Sequence, residues 1–249
     1  MNIILRIKNR FKRKQLKNIK SKSSLNINNP EIIATALSDP DFPWLISFPR
    51  TGSHWLRMIM ELYFEKPSLV EVYYYKDAQE FTCIHRHDPK LKYKIVRNLI
   101  YLYRNPVDTI YSQMSFRKED LNDRDRIEYW ANIYGRHLAK WLIDAKAPNR
   151  KTVISYEEMK TDMNAVFKKL CKHFGYPFQE EKLSKAMAEV SKEKLKEQTT
   201  HTPQVVNLSS AYQEGKKKFK VDHKEYIENV IYNINPKLKK YFPENKKKK

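Results

Sequence analysis

Apolar and polar positions along the chain predict strands and helices that follow one another in turn. Residues 44–48 and 98–103 are short apolar runs, which are typical of strands buried in a parallel sheet. Further strands are expected at residues 69–75, 81–84 and 152–155. Helices are expected between residue 31 and Pro40 and at residues 54–64, 106–116, 124–145, 162–174 and 222–233. This order predicts a single three-layer α/β domain whose central sheet is mostly parallel.

The turn after the first strand has the composition of an anion site. Gly52 permits backbone angles that other residues avoid, and Ser53 is a suitable N-cap for the helix that follows. Backbone N–H groups at such a helix start favour phosphate, and Arg50 and Thr51 add a charge and a hydroxyl. The chain has only 4 glycines, too far apart for the usual nucleotide motifs, so we expect a one-glycine, P-loop-like phosphate-binding loop.

A second candidate anion site follows the strand at residues 98–103. Arg104 should emerge at the same sheet edge as the Gly52 loop, because the carboxyl ends of parallel strands lie together. Ser112 lies on the helix that Pro106 opens, with Asn105 as its expected cap. A guanidinium and a hydroxyl suit phosphate oxygens. The simpler alternative is that Arg104 pairs with Asp108 and that Ser112 is a surface serine.

The net charge of +20 is unevenly distributed, which predicts basic ends on a globular domain. We expect a basic appendage at residues 1–30, a domain at 31–245 and a basic tail at 246–249. The appendage suits a solvated tail or peripheral contact with the inner membrane surface, and nucleic acid is a less favoured partner. No apolar run of 18 residues and no signal-peptide core are present, so a cytoplasmic protein is expected.

Three segments in this order resemble motifs of the sulfotransferase family of the cytosolic type. FPRTGSHW (residues 48–55) resembles the 5′-phosphosulfate loop, and YRNPVDTIYSQMSF (residues 103–116) resembles the 3′-phosphate motif. SYEEMK (residues 155–160) is similar to the tyrosine-containing segment after a later strand. The resemblance implies an enzyme that transfers a sulfuryl group from 3′-phosphoadenosine 5′-phosphosulfate (PAPS) to a hydroxyl or amine, without a metal.

The resemblance also implies roles for individual residues. Arg50 falls where the family has a catalytic lysine beside the bridging oxygen, and Arg104 and Ser112 match the 3′-phosphate ligands. The other matches are Thr51, Gly52, Ser53 and His54 around the 5′-phosphate, and Trp55 and Tyr156 beside adenine. Trp55 and Tyr156 are also residues that could simply pack in the core or at the sheet edge.

Transfer requires a base that removes the acceptor's proton, and histidine suits this role near neutral pH. Alignment of the segment CIHRHDP with the family selects His85, and His87 is the alternative because it would share the same strand face. The family closes its 3′-phosphate site with a C-terminal Arg–Lys–Gly segment that this chain lacks. The lysines at positions 216–218 are the candidates to replace that segment as point charges.

Two other functions remain open from the sequence. A small-molecule kinase would share the anion-binding fold, and a non-enzymatic basic protein would bind nucleic acid or membrane through the same charges. The acceptor of a sulfotransferase could be a small molecule, a glycan or a lipid. Its side of the site is expected to be lined by residues 73–75, Phe81 and a long loop or lid at residues 192–220.

Overall fold

A computed structural model describes residues 30–69, 72–75, 78, 80–147, 149–190 and 209–243 of the chain. Its central sheet has four parallel strands in the order β2-β1-β3-β4. The strands are β1 (Trp44–Ser47), β2 (Ile84–His87), β3 (Asn98–Tyr103) and β4 (Arg150–Ser155). The parallel arrangement places all four carboxyl ends at one edge of the sheet, and it confirms the predicted α/β fold.

Helices cover both faces of this sheet. They are α1 (Pro30–Leu37), α2 (Ser53–Phe64), α3 (Pro106–Arg117), α4 (Arg124–Leu138), α5 (Tyr156–Thr161), α6 (Met163–Phe174), α7 (Glu180–Glu189) and α8 (Ser210–Ile234). A π-helical segment (Ala139–Asp144) continues α4, and a 3-10 helix (Pro236–Tyr241) follows α8. The π segment completes the helix predicted at residues 124–145, whereas α5 and α7 were not predicted.

Alternate side chains of the strands pack into two separate hydrophobic cores, one on each face of the sheet. Leu45 and Ile100 pack with α2, α6 and α7 on one face of the sheet. Their neighbours Ile46 and Tyr101 pack with α3, α4 and α8 on the other face. Because side chains of a strand point alternately to its two faces, these continuous apolar runs fill both cores and give the three predicted layers.

The strand predicted at residues 69–75 is wrong. Leu69 makes only an isolated bridge to Ile84, and residues 72–75 form no strand. The cause is Glu61 of α2, whose buried carboxylate accepts hydrogen bonds from the backbone N–H groups of residues 73–75 at distances of 2.6 to 3.2 Å. Donors that a sheet would use are bound to a side chain instead.

Two other local predictions need correction at the strand ends. The strand expected at residues 81–84 begins at Ile84 and continues to His87, where each residue pairs with β1. Ser53 is the first residue of α2 rather than its cap, because Gly52 occupies the cap position without a side-chain bond. The prediction for Asn105 is confirmed, since its side chain accepts from the backbone N–H of Asp108.

Helix α8 is longer than its predicted range of residues 222–233. It begins at Ser210 because the Ser209 hydroxyl accepts from the backbone N–H of Tyr212. Residues 210–220 are therefore helical, which corrects the predicted loop in that part. Gly215 lets the helix approach α3 closely, since a Cβ there would lie 2.7 Å from the Tyr111 hydroxyl oxygen.

Other predictions lie outside the described residues. The basic appendage, the basic tail and residues 191–208 of the predicted loop belong to this group, so they stay predictions. None of the helices in the described part of the chain has the length and apolar character needed to cross a membrane.

Buried histidines predict that the protein loses stability in mild acid. Burial, with Arg150 nearby, lowers the pKa of His173 to about 4, and burial lowers the pKa of His137 well below its usual value. The unfolded chain then binds more protons than the folded chain below about pH 6.5. We expect the free energy of unfolding, measured with urea, to fall by up to about 1.4 kcal/mol per pH unit for each such histidine.

A His173→Gln variant should lose stability less steeply between pH 6.5 and pH 4. Phe174→Leu is the matched control, because it disturbs the adjoining ring contact without removing a proton site. Equal slopes in the parent protein and His173→Gln would contradict the assignment.

Candidate active site

The loop between β1 and α2 has an unusual backbone that shapes it into a cradle. Arg50 and Gly52 both have positive φ, at 69° and 96°. The Thr51 hydroxyl donates to the Phe48 carbonyl at 2.7 Å and thereby holds the bend. The first intrahelical bond runs from the Leu56 N–H to the Gly52 carbonyl. The N–H groups of the first helical turn precede this bond and have no partner within the helix.

The structure brings the two candidate anion sites into direct contact. Nη1 of Arg104 donates to the carbonyl oxygen of Arg50 at 3.0 Å, and Nε of Arg50 donates to the Ser112 hydroxyl at 3.2 Å. These bonds connect the Gly52 loop to the end of β3 and to α3. Arg104 also lies 3.8 Å from the Asp108 carboxylate, so the pairing considered as an alternative is present as well.

Aromatic rings from two elements lie beside this contact. The guanidinium of Arg104 lies 4.4 Å from the ring centre of Tyr156, at the start of α5. The ring of Trp55, in the first turn of α2, meets Tyr156 edge to face at 6.0 Å. Gly52 approaches the same ring so closely that a Cβ would lie 2.5 Å from its Cδ2 atom. The four predicted residues Gly52, Trp55, Arg104 and Tyr156 therefore share one corner of the site.

Positive charge dominates this corner. Burial, together with the neighbouring Arg104, lowers the pKa of Arg50. Lys216 reaches in from α8, and its Nζ lies 2.8 Å from the same Asp108 oxygen that Arg104 faces. Arg104 and Lys216 thus share the Asp108 carboxylate, and Arg50 lies beside Arg104, which is an arrangement suited to binding an anion.

The two candidate bases lie on β2. His85 is its second residue and His87 is its last. Their rings are 4.7 Å apart, and both reach Ser47 of β1, whose hydroxyl is 3.0 Å from Nε2 of His85 and 3.2 Å from Nδ1 of His87. The predicted shared face is thus confirmed. Their environments differ, because His85 is only 7% exposed whereas His87 is exposed at the sheet edge.

A buried arginine lies against the inner histidine. Nη1 of Arg57, in α2, is 3.3 Å from Nδ1 of His85. Burial lowers the pKa of His85 well below its usual value, and the charge of Arg57 lowers it further. His85 is therefore neutral at physiological pH.

Asp88 follows the two histidines but is occupied by structural contacts. Its carboxylate accepts from Nζ of Lys140 at 2.8 Å, from Nε1 of Trp141 at 3.2 Å and from the backbone N–H of Lys92 at 2.6 Å. The described residues contain no group of three or more His, Cys, Asp or Glu that could hold a metal ion. Asp88 fixes the chain that leaves β2.

The remaining predicted residues have structural contacts of their own. Ser53 is buried, and Nδ1 of His54 lies 2.7 Å from the Tyr73 hydroxyl. Sequence reasoning missed Arg57 and Glu61, which are buried in α2 and bind His85 and residues 73–75. A signal existed, since two charged residues four positions apart on an apolar helix share one face.

Solved structures provide a comparison for the whole fold. Retinol dehydratase in complex with androsterone and inactive cofactor PAP is 12% identical, with a TM-score of 0.54 over 78% of this chain and 80% of that chain. Mouse sulfotransferase SULT7A1 complexed with PAP is 18% identical, with a TM-score of 0.48 over 86% and 95% of the two chains. The similarity to retinol dehydratase supports the fold.

Sequence comparison identifies the family. No curated protein matches the chain, but the family model described as "Sulfotransferase domain" matches residues 75–248. The match includes both histidines of β2, Arg104, Ser112 and Tyr156, and it begins after the Gly52 loop. The family resemblance is thereby confirmed, and the match covers the second and third motifs. Because this family model matches well over half of the residues of the chain, the chain belongs to the sulfotransferase domain family.

Proposed function

We propose that the protein transfers the sulfuryl group of PAPS to a hydroxyl or amine of an acceptor molecule. The observation that carries this proposal is the bonded series Arg104–Arg50–Ser112, which joins the two candidate anion sites at one sheet edge. A nucleotide with phosphates at its 3′ and 5′ positions needs two such sites at a fixed separation. PAP, the product of this donor, is bound in both solved structures compared above.

The residues of the site fit such a nucleotide chemically. Nε of Arg104 is buried and has no hydrogen-bond partner within the described residues. A buried donor without a partner is costly, and a phosphate oxygen would satisfy it. Tyr156 and Trp55 offer aromatic surface for a base, and the helix start after Gly52 offers N–H groups for the 5′-phosphate.

This proposal assigns the stabilisation of negative charge and the transfer of the proton to different groups. Arg50 stabilises negative charge that develops on the departing phosphate, as a permanent cation. His87 accepts the acceptor's proton. The prediction that His85 has this role is untested, but burial and the contact with Arg57 favour its alternative, His87.

The acceptor and the location of the protein remain predictions. Tyr73 is close to the site through its contact with His54, which supports an acceptor region formed partly by residues 73–75. A small molecule, a glycan or a lipid would each suit an aromatic lining. A cytoplasmic location, with membrane contact through the basic appendage, remains an expectation from sequence.

The base assignment can be tested by activity. With labelled PAPS and a panel of phenols, sugars and lipids, His87→Ala should lose roughly 100-fold or more in kcat, because general-base catalysis is worth about 10²–10⁴. His85→Ala should retain more activity, and the affinity for PAP should be unchanged in both variants. The reverse ranking would restore His85 as the base, and binding of PAP without transfer to any acceptor would count against the enzyme proposal.

Lys216 is proposed to replace the missing C-terminal arginine of the family. Lys216→Ala should weaken PAP binding by roughly tenfold in calorimetry, as expected for loss of one charge-assisted contact. Binding of 5′-AMP, which has no 3′-phosphate, should change little. Lys217→Ala is the matched control, because Lys217 is the exposed neighbour on the same helix. Equal losses for PAP and 5′-AMP would show that Lys216 does not serve the 3′-phosphate.

The glycine of the loop should not tolerate a side chain. Gly52→Ala should destabilise the protein by about 1–2 kcal/mol through its positive φ. It should also abolish tight PAP binding, because the new Cβ displaces Tyr156. Gly175→Ala is the matched control, since Gly175 also has positive φ, at 77°, with nothing within 4 Å of an added Cβ. PAP binding that is retained in Gly52→Ala would contradict the proposed cradle.

A further inference from the structure

The two histidines of β2 differ in the bonds that their ring nitrogens make. A guanidinium can only donate hydrogen bonds, so Nδ1 of His85 must accept from Arg57 at 3.3 Å. A neutral imidazole with an accepting Nδ1 carries its hydrogen on Nε2, which donates to the Ser47 hydroxyl at 3.0 Å. Both nitrogens of His85 are thus engaged, and its one lone pair faces a cation.

The outer histidine has the opposite arrangement. Nδ1 of His87 is 2.8 Å from the backbone carbonyl of Ser47, which can only accept, so this nitrogen carries the hydrogen. The lone pair of neutral His87 is therefore on Nε2, away from Ser47. When Nε2 takes a proton, the Nδ1–H bond to the carbonyl persists and supports the charged ring.

We infer that Arg57 is a positioning residue that selects the base within this pair, by occupying the lone pair of His85 so that the acceptor's proton goes to His87. This inference rests on the proposed sulfuryl transfer for its catalytic meaning. In this step the acceptor O–H bond breaks and its proton joins Nε2 of His87. The acceptor oxygen bonds to the sulfur of PAPS as the bond between that sulfur and the phosphate oxygen breaks.

The position of Arg57 supports a fixed role. The residue is only 1% exposed, its Nε donates to the Ser68 hydroxyl at 2.7 Å, and its guanidinium lies 5.2 Å from the ring centre of Tyr73. A buried cation held on two sides keeps its charge beside His85. Without that cation, His85 would lose the partner of its lone pair, and the two rings, 4.7 Å apart, would compete for the proton more evenly.

Several other charged or titratable groups face the pair. His54 of α2 and Arg86 of β2 act on His85 with the same sign as Arg57. His137 of α4 lies within the electrostatic reach of His87 and of Lys140, and Asp88 pairs with Lys140. Arg57 differs from these electrostatic neighbours in the bond that it donates to Nδ1 of His85.

Nuclear magnetic resonance of ring nitrogens tests the inference without turnover. In the full chain labelled with ¹⁵N-histidine, His85 should remain the Nε2–H tautomer from pH 8 to pH 5, and neutral His87 should be the Nδ1–H tautomer at pH 8. In Arg57→Met, His85 should begin to titrate within this window, whereas Arg57→Lys, which keeps a cation that only donates, should resemble the parent. Titration of His85 in the parent protein, or an unchanged His85 in Arg57→Met, would overturn the inference.

Kinetics provide the second measurement. Arg57→Met should lower kcat by roughly tenfold near pH 6.5, as outer-shell partners do elsewhere, with PAP affinity unchanged. Arg57→Lys should recover most of the loss. Ser68→Ala removes the hydroxyl that accepts a hydrogen bond from Nε of Arg57, and it is a milder variant for use if Arg57→Met does not fold. It should shift the titration of His85 in the same direction. If the protein transferred no sulfuryl group to any acceptor, the proposed function would be wrong, but the assignment of the histidine tautomers would still hold.

Discussion

The contact between the Arg104 guanidinium and the Arg50 carbonyl is the constraint that organises this site. Strands β1 and β3 are neighbours in a parallel sheet, so the residues that follow them meet at one edge. Arg50 has a left-handed backbone, and its carbonyl accepts from a side chain 54 residues away. The loop therefore takes its shape from the sheet order as much as from its own glycine.

The same contact concentrates positive charge. Arg104 and Lys216 come from different elements and both face the Asp108 carboxylate, and Arg50 contacts Arg104 through its backbone carbonyl. Burial of cations costs free energy unless partners compensate it, and the proposed nucleotide would add to the compensation that Asp108 provides. In the proposed function, Lys216 of the long helix α8 takes the role of the family's Arg–Lys–Gly segment, which this chain lacks.

Sequence could predict those parts of the structure that depend on local pattern. Apolar runs predicted β1 and β3, and the Gly52 turn, Arg104 and Ser112 could be placed at one edge because parallel strands share their polarity. Distant side chains decided the rest. No local signal shows that Glu61 takes the backbone donors of residues 73–75, so the pattern there still predicted a strand. The difference in environment between His85 and His87 was equally hidden, because His85 contacts Arg57, which is distant in sequence and adjacent only after folding.

Helix α2 connects the two halves of the proposed chemistry. Its first turn faces the candidate phosphate cradle, its next turn holds His85 through Arg57, and Glu61 fixes residues 73–75 beyond it. A helix is stiff over this length, so a shift of its start would move the groups that hold the inner histidine and the aromatic segment as well. The candidate phosphate cradle and the inner histidine are then positioned by one rigid element. Apolar packing of α2 against the sheet maintains that alignment, which explains why two charged residues are buried within an otherwise apolar helix face.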